Sequence, residues 1–241
     1  MSSHHIVRDN QESALIIANG ESCSMSLVDE LMEWCPYVLV LDGAMQRVQE
    51  LGLRADAWLG DFDSHEQALG SDISLSGGVD SGLAVADWEQ QLLATGTEKI
   101  LAPDQVKTDL EKGIEFLISR GHTSANVIWG TGRRMDHTFQ NLSILPKYQA
   151  DILVSILDDY SRVYPLPKHF RKWYPAGTNL SLMPIGKVEE VYSENLDFPL
   201  GGMNLELPYR SGSSNRVTAD GFVEIQYKQG HLLLMECWDR K

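Results

Sequence analysis

The chain has 241 residues, a hydrophobic content of 43% and a formal net charge of −14. This acidic balance argues against a general nucleic-acid-binding protein, whose surface is basic, and suits a protein that gathers cations. No apolar run approaches the roughly 20 residues of a membrane-spanning helix, so we expect no membrane association. Three cysteines without metal-site spacing fit a reducing compartment, which predicts a cytoplasmic protein.

The first two thirds of the chain alternate short apolar runs with amphipathic stretches. This alternation is typical of an α/β domain with a Rossmann-like, mainly parallel sheet and helices on both faces. The clearest helical pattern begins at Thr108 and is followed by Gly121 after its last turn. The apolar runs predict these strands: Ala14–Ala18, Tyr37–Leu41, Ala57–Leu59, Lys99–Ala102, Asn126–Trp129 and Asp151–Leu157.

The pattern changes from about Val163. Short β-like segments are separated there by clusters of Pro, Gly, Asn and Ser, and no long helical period remains. These segments are Asn179–Met183, Val188–Tyr192, Phe222–Tyr227 and Leu232–Glu236. They predict a small C-terminal antiparallel β-sandwich or barrel. We therefore place a domain boundary between residues 162 and 163, and a long Gly- and Ser-rich loop at Leu69–Gly82.

Aspartates follow several of the predicted strands. Asp61 and Asp63 are one residue apart directly after Ala57–Leu59, so in an extended segment both side chains face the same way and are able to bind one cation. An Asp-rich turn that hydrogen-bonds its own backbone is the common alternative. Clustered carboxylates repel each other unless a cation neutralises them, and oxygen-only ligands favour Mg²⁺, which usually acts on phosphate esters. The aspartates in equivalent places after other strands are Asp42, Asp104, Asp109 and Asp136.

The segment from Asp104 to Lys112 contains a helix start. Thr108 as N-cap and Glu111 three residues later form a capping-box pattern. Asp109 then lies in the first turn, where the helix dipole stabilises a carboxylate, and the alternative is that it does no more than that. Lys112 follows one turn later, where it either contacts a phosphate or is solvated.

The third segment is Gly130–His137, followed by Asn141. Glycines after a strand let backbone N–H groups approach an anion, and Arg133 and Arg134 add bidentate phosphate donors. An Arg-rich surface turn is the plain alternative. His137 is more often a structural histidine at a helix start than an acid or a base.

Together these segments resemble the thiamine pyrophosphokinases, in the right order over nearly the whole chain. The matching motifs are Ala18-Asn19-Gly20, Asp42-Gly43-Ala44, Gly60-Asp61-Phe62-Asp63-Ser64, Asp104-Gln105 with Thr108-Asp109 and Glu111-Lys112, Arg134-x-Asp136-His137 with Asn141, and Ser213-Ser214-Asn215. The resemblance implies an α/β domain that binds ATP and Mg²⁺ (residues 1–162) and a thiamine-binding β-sandwich (residues 163–241). It also implies a homodimer whose active site lies between the α/β domain of one subunit and the sandwich of the other.

The chain departs from the family pattern in several places. Arg133 stands where the family commonly has glycine, and Gly113 stands where it usually has alanine. The connection between Asp63 and Asp104 is longer than expected. Phe198 is the counterpart of an aromatic residue that stacks on thiamine in some members.

The function that the resemblance implies is the transfer of a diphosphate from ATP to thiamine, which yields thiamine diphosphate and AMP. The Mg²⁺ ligands are then Asp42, Asp61, Asp63 and Asp109, and the catalytic carboxylates are Asp61, Asp63, Asp109 and Asp136. The residues expected to bind ATP or thiamine are Asn19, Asp42, Gln105, Thr108, Lys112, Arg134, His137, Phe198, Ser213, Ser214 and Asn215. A related diphosphokinase that acts on a pterin alcohol and a non-catalytic sensor of nucleotide or thiamine are the alternatives.

Overall fold

The structure is a computed structural model, and it describes residues 12–62, 94 and 96–238. Asp63 and the predicted loop Leu69–Gly82 lie outside the described residues. Every predicted strand of the N-terminal part is present, within one or two residues of its predicted bounds. These strands are β1 (Ala14–Ile17), β2 (Val38–Leu41), β3 (Ala57–Gly60), β4 (Glu98–Leu101), β5 (Ser124–Ile128) and β6 (Leu153–Leu157).

These strands form a parallel sheet in the order β4-β3-β2-β1-β5-β6. β1 lies between β2 and β5, so the strand order reverses beside it. In open α/β sheets the ligand crevice lies at such a reversal, outside the carboxyl ends of the strands. The loops that follow β1 and β5 are therefore the expected position of a binding site.

Helices cover both faces of the parallel sheet, as the sequence predicts. The helices are α1 (Met25–Trp34), α2 (Met45–Glu50), which follows a 3₁₀ turn at Asp42–Ala44, α3 (Asp109–Ser119) and α4 (Met135–Ile144). Leu15 packs in a core with Val28 of α1, whereas the next residue, Ile16, packs in a core with Ile114 of α3. Because both faces are buried, most of these strands read as continuous apolar runs rather than as alternating ones.

The C-terminal part is antiparallel, and the predicted fold class is confirmed. Its strands are β7 (Ser161–Pro165), β8 (His169–Tyr174), β9 (Asn179–Glu194), β10 (Gly201–Glu206), β11 (Gly212–Arg216), β12 (Gly221–Gln226) and β13 (Gln229–Cys237). β11 and most of β13 pair with the first half of β9, and β10 and β12 pair with its second half, where β13 pairs again at Glu189. This long strand therefore connects four other strands of the antiparallel part, and a separate apolar core that includes Leu182, Val188 and Val223 fills this part.

The prediction of two separate strands at Asn179–Met183 and Val188–Tyr192 was wrong. A single strand of 16 residues runs through Pro184 and Gly186. Pairing with β13 continues at Pro184, and Gly186 has a φ of +73° next to a register shift in this pairing. The Pro and Gly therefore mark an irregularity in the strand and not its end, because glycine takes a positive φ at little cost.

The two parts share strand pairing. β7 pairs with β6 on one side and with β13 on the other, so hydrogen bonding continues from the parallel sheet into the antiparallel part. The boundary between residues 162 and 163 falls inside β7, and the division into two domains stays a prediction. Across the described ranges of the chain, no helix is long and apolar enough to cross a membrane.

Candidate active site

A cleft of about 520 Å³ opens at the carboxyl ends of the parallel strands. The loop after β1 lines it with Asn19 and Gly20, and the loop after β5 lines it with Gly130 and Gly132. Asp61, directly after β3, also faces the cleft. The cleft thus occupies the reversal of strand order, where phosphate-binding loops of α/β proteins lie.

The structure brings together most of the residues that the sequence proposes for the N-terminal part. Those that line the cleft are Asn19, Asp61, Gln105, Thr108, Asp109, Lys112, Arg134 and His137. Those that do not line it are Asp42, Asp136, Phe198, Ser213, Ser214 and Asn215. Asp63 cannot be placed, because it lies outside the described residues. The roles that we assign to these residues stay predictions.

The start of α3 has the predicted capping box. The Glu111 backbone N–H donates to Thr108 Oγ1 at 3.3 Å, and the Thr108 backbone N–H donates to Glu111 Oε2 at 3.4 Å. Lys112, with only 7% of its side chain exposed, donates to Asp109 Oδ1 at 3.2 Å. A buried ammonium needs such a partner, and here the pair stands at the wall of the cleft.

Gly113 has a packing reason. A Cβ at this position would lie 2.9 Å from Leu41 Cδ2 on β2, which is closer than real Cβ contacts. Gly113 therefore marks a close approach of α3 to the sheet, against the end of a leucine side chain. Its helix propensity is about 1 kcal/mol lower than that of alanine.

Asp61 is held by Gln105, whose Nε2 donates to Asp61 Oδ2 at 2.8 Å. Asp42 is buried, and a Cβ at Gly60, the residue before Asp61, would lie only 2.4 Å from Asp42 Cβ. Within the described part of the chain, no three His, Cys, Asp or Glu side chains converge as metal ligands. Mg²⁺ commonly takes only one or two protein carboxylates and completes its shell with phosphate oxygens and water. Asp61 and Asp109, both at the cleft, fit that chemistry.

The loops after β1 and β5 are bonded to each other. The Gly20 backbone N–H donates to Trp129 O at 2.5 Å, and a Cβ on Gly20 would lie 2.2 Å from Thr131 O. From α4, Asn141 Nδ2 donates to Gly130 O at 2.8 Å. These contacts connect the two loops beside the cleft, and they explain why Asn141 accompanies the glycine-rich motif.

The two adjacent arginines of this loop have different partners. Arg134 donates to Asp136 through two hydrogen bonds of 3.1 and 2.5 Å, and this pairing lowers the pKa of the Asp136 carboxyl. Arg133 instead turns to Asn19, and its Nη1 donates to Asn19 Oδ1 at 3.2 Å. Asp136 therefore acts in this structure as the partner of Arg134 and not as a lining carboxylate.

Sequence reasoning missed Arg47 of α2. Its Nη2 donates to Asn19 Oδ1 at 3.2 Å, its Nη1 donates to Gly20 O at 3.0 Å, and its guanidinium stacks 4.2 Å from the ring centroid of Trp129. Burial and the nearby charge of Arg133 lower the pKa of Arg47. No local motif marks this residue, because its partners come from two other loops.

The candidate thiamine-binding residues of the C-terminal part do not line this cleft. Asn215 of β11 is 3% exposed, and its side chain binds the backbone of Phe198 through both amide atoms, at 3.0 and 2.8 Å. Phe198 itself is 69% exposed. Ser213 and Ser214 are exposed, and Ser214 lies at a φ of +56° in the irregular part of β11. Asn215 thus positions the loop that presents Phe198.

A crevice at the reversal of a parallel sheet, with carboxylates, a buried lysine and arginines around a glycine-rich loop, defines an α/β protein that binds nucleotide phosphates. Two family models match the chain: thiamin pyrophosphokinase, catalytic domain, at residues 28–156, and thiamin pyrophosphokinase, vitamin B1 binding domain, at residues 168–232. The first match alone covers more than half of the chain. The chain belongs to the thiamin pyrophosphokinase family, and it is a thiamine diphosphokinase with ATP as co-substrate.

Solved structures agree with this fold. The thiamine pyrophosphokinase of Bacillus subtilis is similar with a TM-score of 0.73 at 16% identity, over 95% of this chain and 100% of that one. The enzyme of Geobacillus thermodenitrificans gives a TM-score of 0.73 at 20% identity, over 95% and 98% of the two chains. The yeast enzyme gives 0.71 at 17% identity, over 95% and 87%. A search of curated protein sequences gave no significant match.

Proposed function

We propose that this diphosphokinase binds ATP and Mg²⁺ in the cleft of its α/β part and receives thiamine from the sandwich of a second subunit, as a cytoplasmic homodimer. The observation that carries the proposal is the convergence of separate sequence segments on one cleft, from the loop after β1 to the start of α4. Diphosphate transfer needs in-line positioning and neutralisation of negative charge more than covalent chemistry. The side chains of this cleft are suited to both.

In this proposal the phosphates of ATP lie along the glycine-rich loop. Gly130 and Gly132 leave room for close approach, and Lys112 brings a positive charge from the wall of the cleft. Asp61 and Asp109 would hold Mg²⁺, together with Asp63 and Asp42 as the resemblance implies. The bound cation supplies charge neutralisation on the phosphate oxygens. Gln105 orients the Asp61 carboxylate through its hydrogen bond of 2.8 Å.

The acceptor is the hydroxyethyl group of thiamine, which attacks the β-phosphorus of ATP and displaces AMP. A cleft aspartate accepts the hydroxyl proton. A general base has to lie within hydrogen-bond reach of the proton that it accepts, and the carboxylates that line the cleft are the ones placed to meet that condition.

A second subunit is part of the proposal because the cleft of one chain is incomplete for thiamine. None of Phe198, Ser213, Ser214 and Asn215 lines it. The exposed ring of Phe198, held in place by Asn215, is suited to stack on a thiamine ring bound in a partner's cleft. The free cysteines Cys23, Cys35 and Cys237 support the cytoplasmic assignment.

The experiment that tests the function is AMP release from ATP and Mg²⁺, with and without thiamine, with the product identified by mass. We expect AMP and thiamine diphosphate in equal amounts and only in the presence of thiamine. Release of ADP, or thiamine-independent turnover with a pterin alcohol, would contradict the proposal. Binding of both ligands without AMP would identify a sensor.

A further inference from the structure

Arg133 has a backbone conformation that arginine rarely adopts. Its φ is +52°, in the left-handed region that costs L-residues energy and that glycine occupies easily. Trp129 and Gly132 of the same loop have φ values of +54° and +75°. Strained residues of this kind persist where the surrounding structure holds them, and they cluster at ligand-binding sites. Glycine would adopt this backbone conformation more easily, so the presence of arginine at position 133 needs an explanation from its side chain.

The side chain of Arg133 faces the cleft and has neutral partners. It lines the cleft, and its Nη1 donates to the backbone and side-chain oxygens of Asn19 at 3.3 and 3.2 Å. The same Asn19 Oδ1 accepts from Arg47 at 3.2 Å. Two guanidinium groups thus converge on one amide oxygen, and we name Arg133 and Arg47 the Asn19 arginine pair.

No carboxylate of the described residues forms an ion pair with either member of the Asn19 arginine pair, whereas the neighbouring Arg134 is paired with Asp136 at 2.5 Å. Two like charges brought together without a counterion cost free energy, which an anion between or beside them recovers. Burial and the charge of Arg133 lower the pKa of Arg47, whereas the charges of Glu21 and Glu50, which form no ion pair with it, raise this pKa. Of the two arginines, Arg133 lines the cleft, so an anion bound there is able to approach its guanidinium.

We infer that Arg133, held by Asn19, binds a phosphate group of the nucleotide as a phosphate-binding arginine of this loop in addition to Arg134. The inference rests on the proposed function for the identity of the phosphate ligand. Arginine suits this role because its planar guanidinium donates two parallel hydrogen bonds to phosphate oxygens. Asn19 holds the guanidinium through Nη1 and so fixes its orientation towards the cleft.

The test is calorimetric binding of inorganic tripolyphosphate to the wild type, Arg133→Gly and Arg133→Lys, together with thermal unfolding of each protein. We expect Arg133→Gly to raise the Kd about 10- to 100-fold, since it removes charge-assisted hydrogen bonds. It should leave the unfolding temperature unchanged or higher, because glycine adopts this φ without strain. Arg133→Lys keeps the charge but loses the planar donor pair, so its Kd should be intermediate.

The matched control is Glu190→Gly, at a φ of +54° on β9, where an exposed carboxylate pairs with Lys228 at 2.5 Å. This substitution also replaces a residue of positive φ by glycine, but Glu190 does not line the cleft, so the Kd for tripolyphosphate should be unchanged. A wild-type Kd for Arg133→Gly would overturn the inference. A lowered unfolding temperature together with the raised Kd would also overturn it, because it would assign Arg133 to folding of the loop.

Thiamine-dependent AMP release by the wild type is measured in parallel. If the wild type releases no AMP but binds tripolyphosphate through Arg133, the inference stands and the proposed function fails. If the wild type is active and Arg133→Gly matches it in both Kd and KM for ATP, the inference fails alone.

Discussion

The α/β part and the antiparallel part use their motif residues in opposite ways. In the α/β part, motif residues from distant segments face one cleft and contact each other across it, as Asp61 and Gln105 do. In the antiparallel part, the one motif residue that is fully buried, Asn215, supports the backbone that presents Phe198. The difference teaches that a sequence motif locates a loop in the fold, whereas the structure decides whether its side chains face the cleft or hold a neighbouring segment in place.

The largest effect should come from the cleft. Asp61→Asn keeps the shape of the side chain and removes its charge, so we expect turnover to fall about 10²- to 10³-fold with the fold retained. The measurement is thiamine-dependent AMP release, with circular dichroism to check folding. Asp29→Asn, at an exposed position of α1, is the control and should be fully active. Near-normal turnover in Asp61→Asn would remove this residue from the site.

Mixing variants tests whether the two parts meet between subunits. Subunits with Asp61→Asn and subunits with Phe198→Ala are combined, unfolded and refolded together. AMP release is then measured at limiting thiamine. A site shared by two subunits predicts activity above the mean of the separate proteins, since each mixed dimer has one intact site. Asp61→Asn mixed with Asp109→Asn is the control and should show no gain, because both changes lie in the same part. Equal results for the two mixtures would contradict the shared site.

A smaller effect is expected from Asn215→Ala. Its side chain also accepts from the Arg216 backbone N–H at 2.9 Å, so three backbone hydrogen bonds are lost. We expect about 2 to 3 kcal/mol less stability against denaturant and a KM that rises more for thiamine than for ATP. Ser213→Ala is the control, since among the described residues its side chain bonds only the Ser211 hydroxyl at 3.1 Å, and it should lose less than about 0.5 kcal/mol. Equal losses in stability would contradict the positioning role of Asn215.

The smallest effect concerns Glu236, a half-buried carboxylate of the antiparallel part. Burial alone would raise its pKa, but hydrogen bonds from Lys172, Tyr174 and Tyr164 outweigh burial, so the pKa lies below the usual 4.5. The unfolded chain then binds the proton more tightly than the folded one. The stabilisation by this group is therefore present above pH 4.5 and is lost as the pH falls through its folded-state pKa.

Thermal unfolding of Glu236→Gln from neutral pH to about pH 3 tests this dependence. We expect the wild type to be more stable at neutral pH and the difference to shrink in acid. Glu30→Gln, at an exposed position of α1, should show no such trend. A difference that is constant with pH would contradict the role of the Glu236 charge.

The strands of the α/β part, the capping box of Thr108 and Glu111, and the turn at Gly121 follow the predictions closely. The prediction of separate strands within β9 was wrong, because Pro184 and Gly186 look like breaks when the pairing with β13 is unknown.

The sequence by itself determined the elements and the places of the motifs, because periodicity, caps and strand ends depend on residues a few positions apart. The tertiary structure alone decided which side chains meet. Arg47 and Arg133 reach Asn19 from α2 and from the loop after β5, and Arg134 is instead held by Asp136. These contacts depend on the order of parallel strands and on the left-handed backbone of one loop. Neither property is set by residue types within a single segment, so no local pattern reveals them.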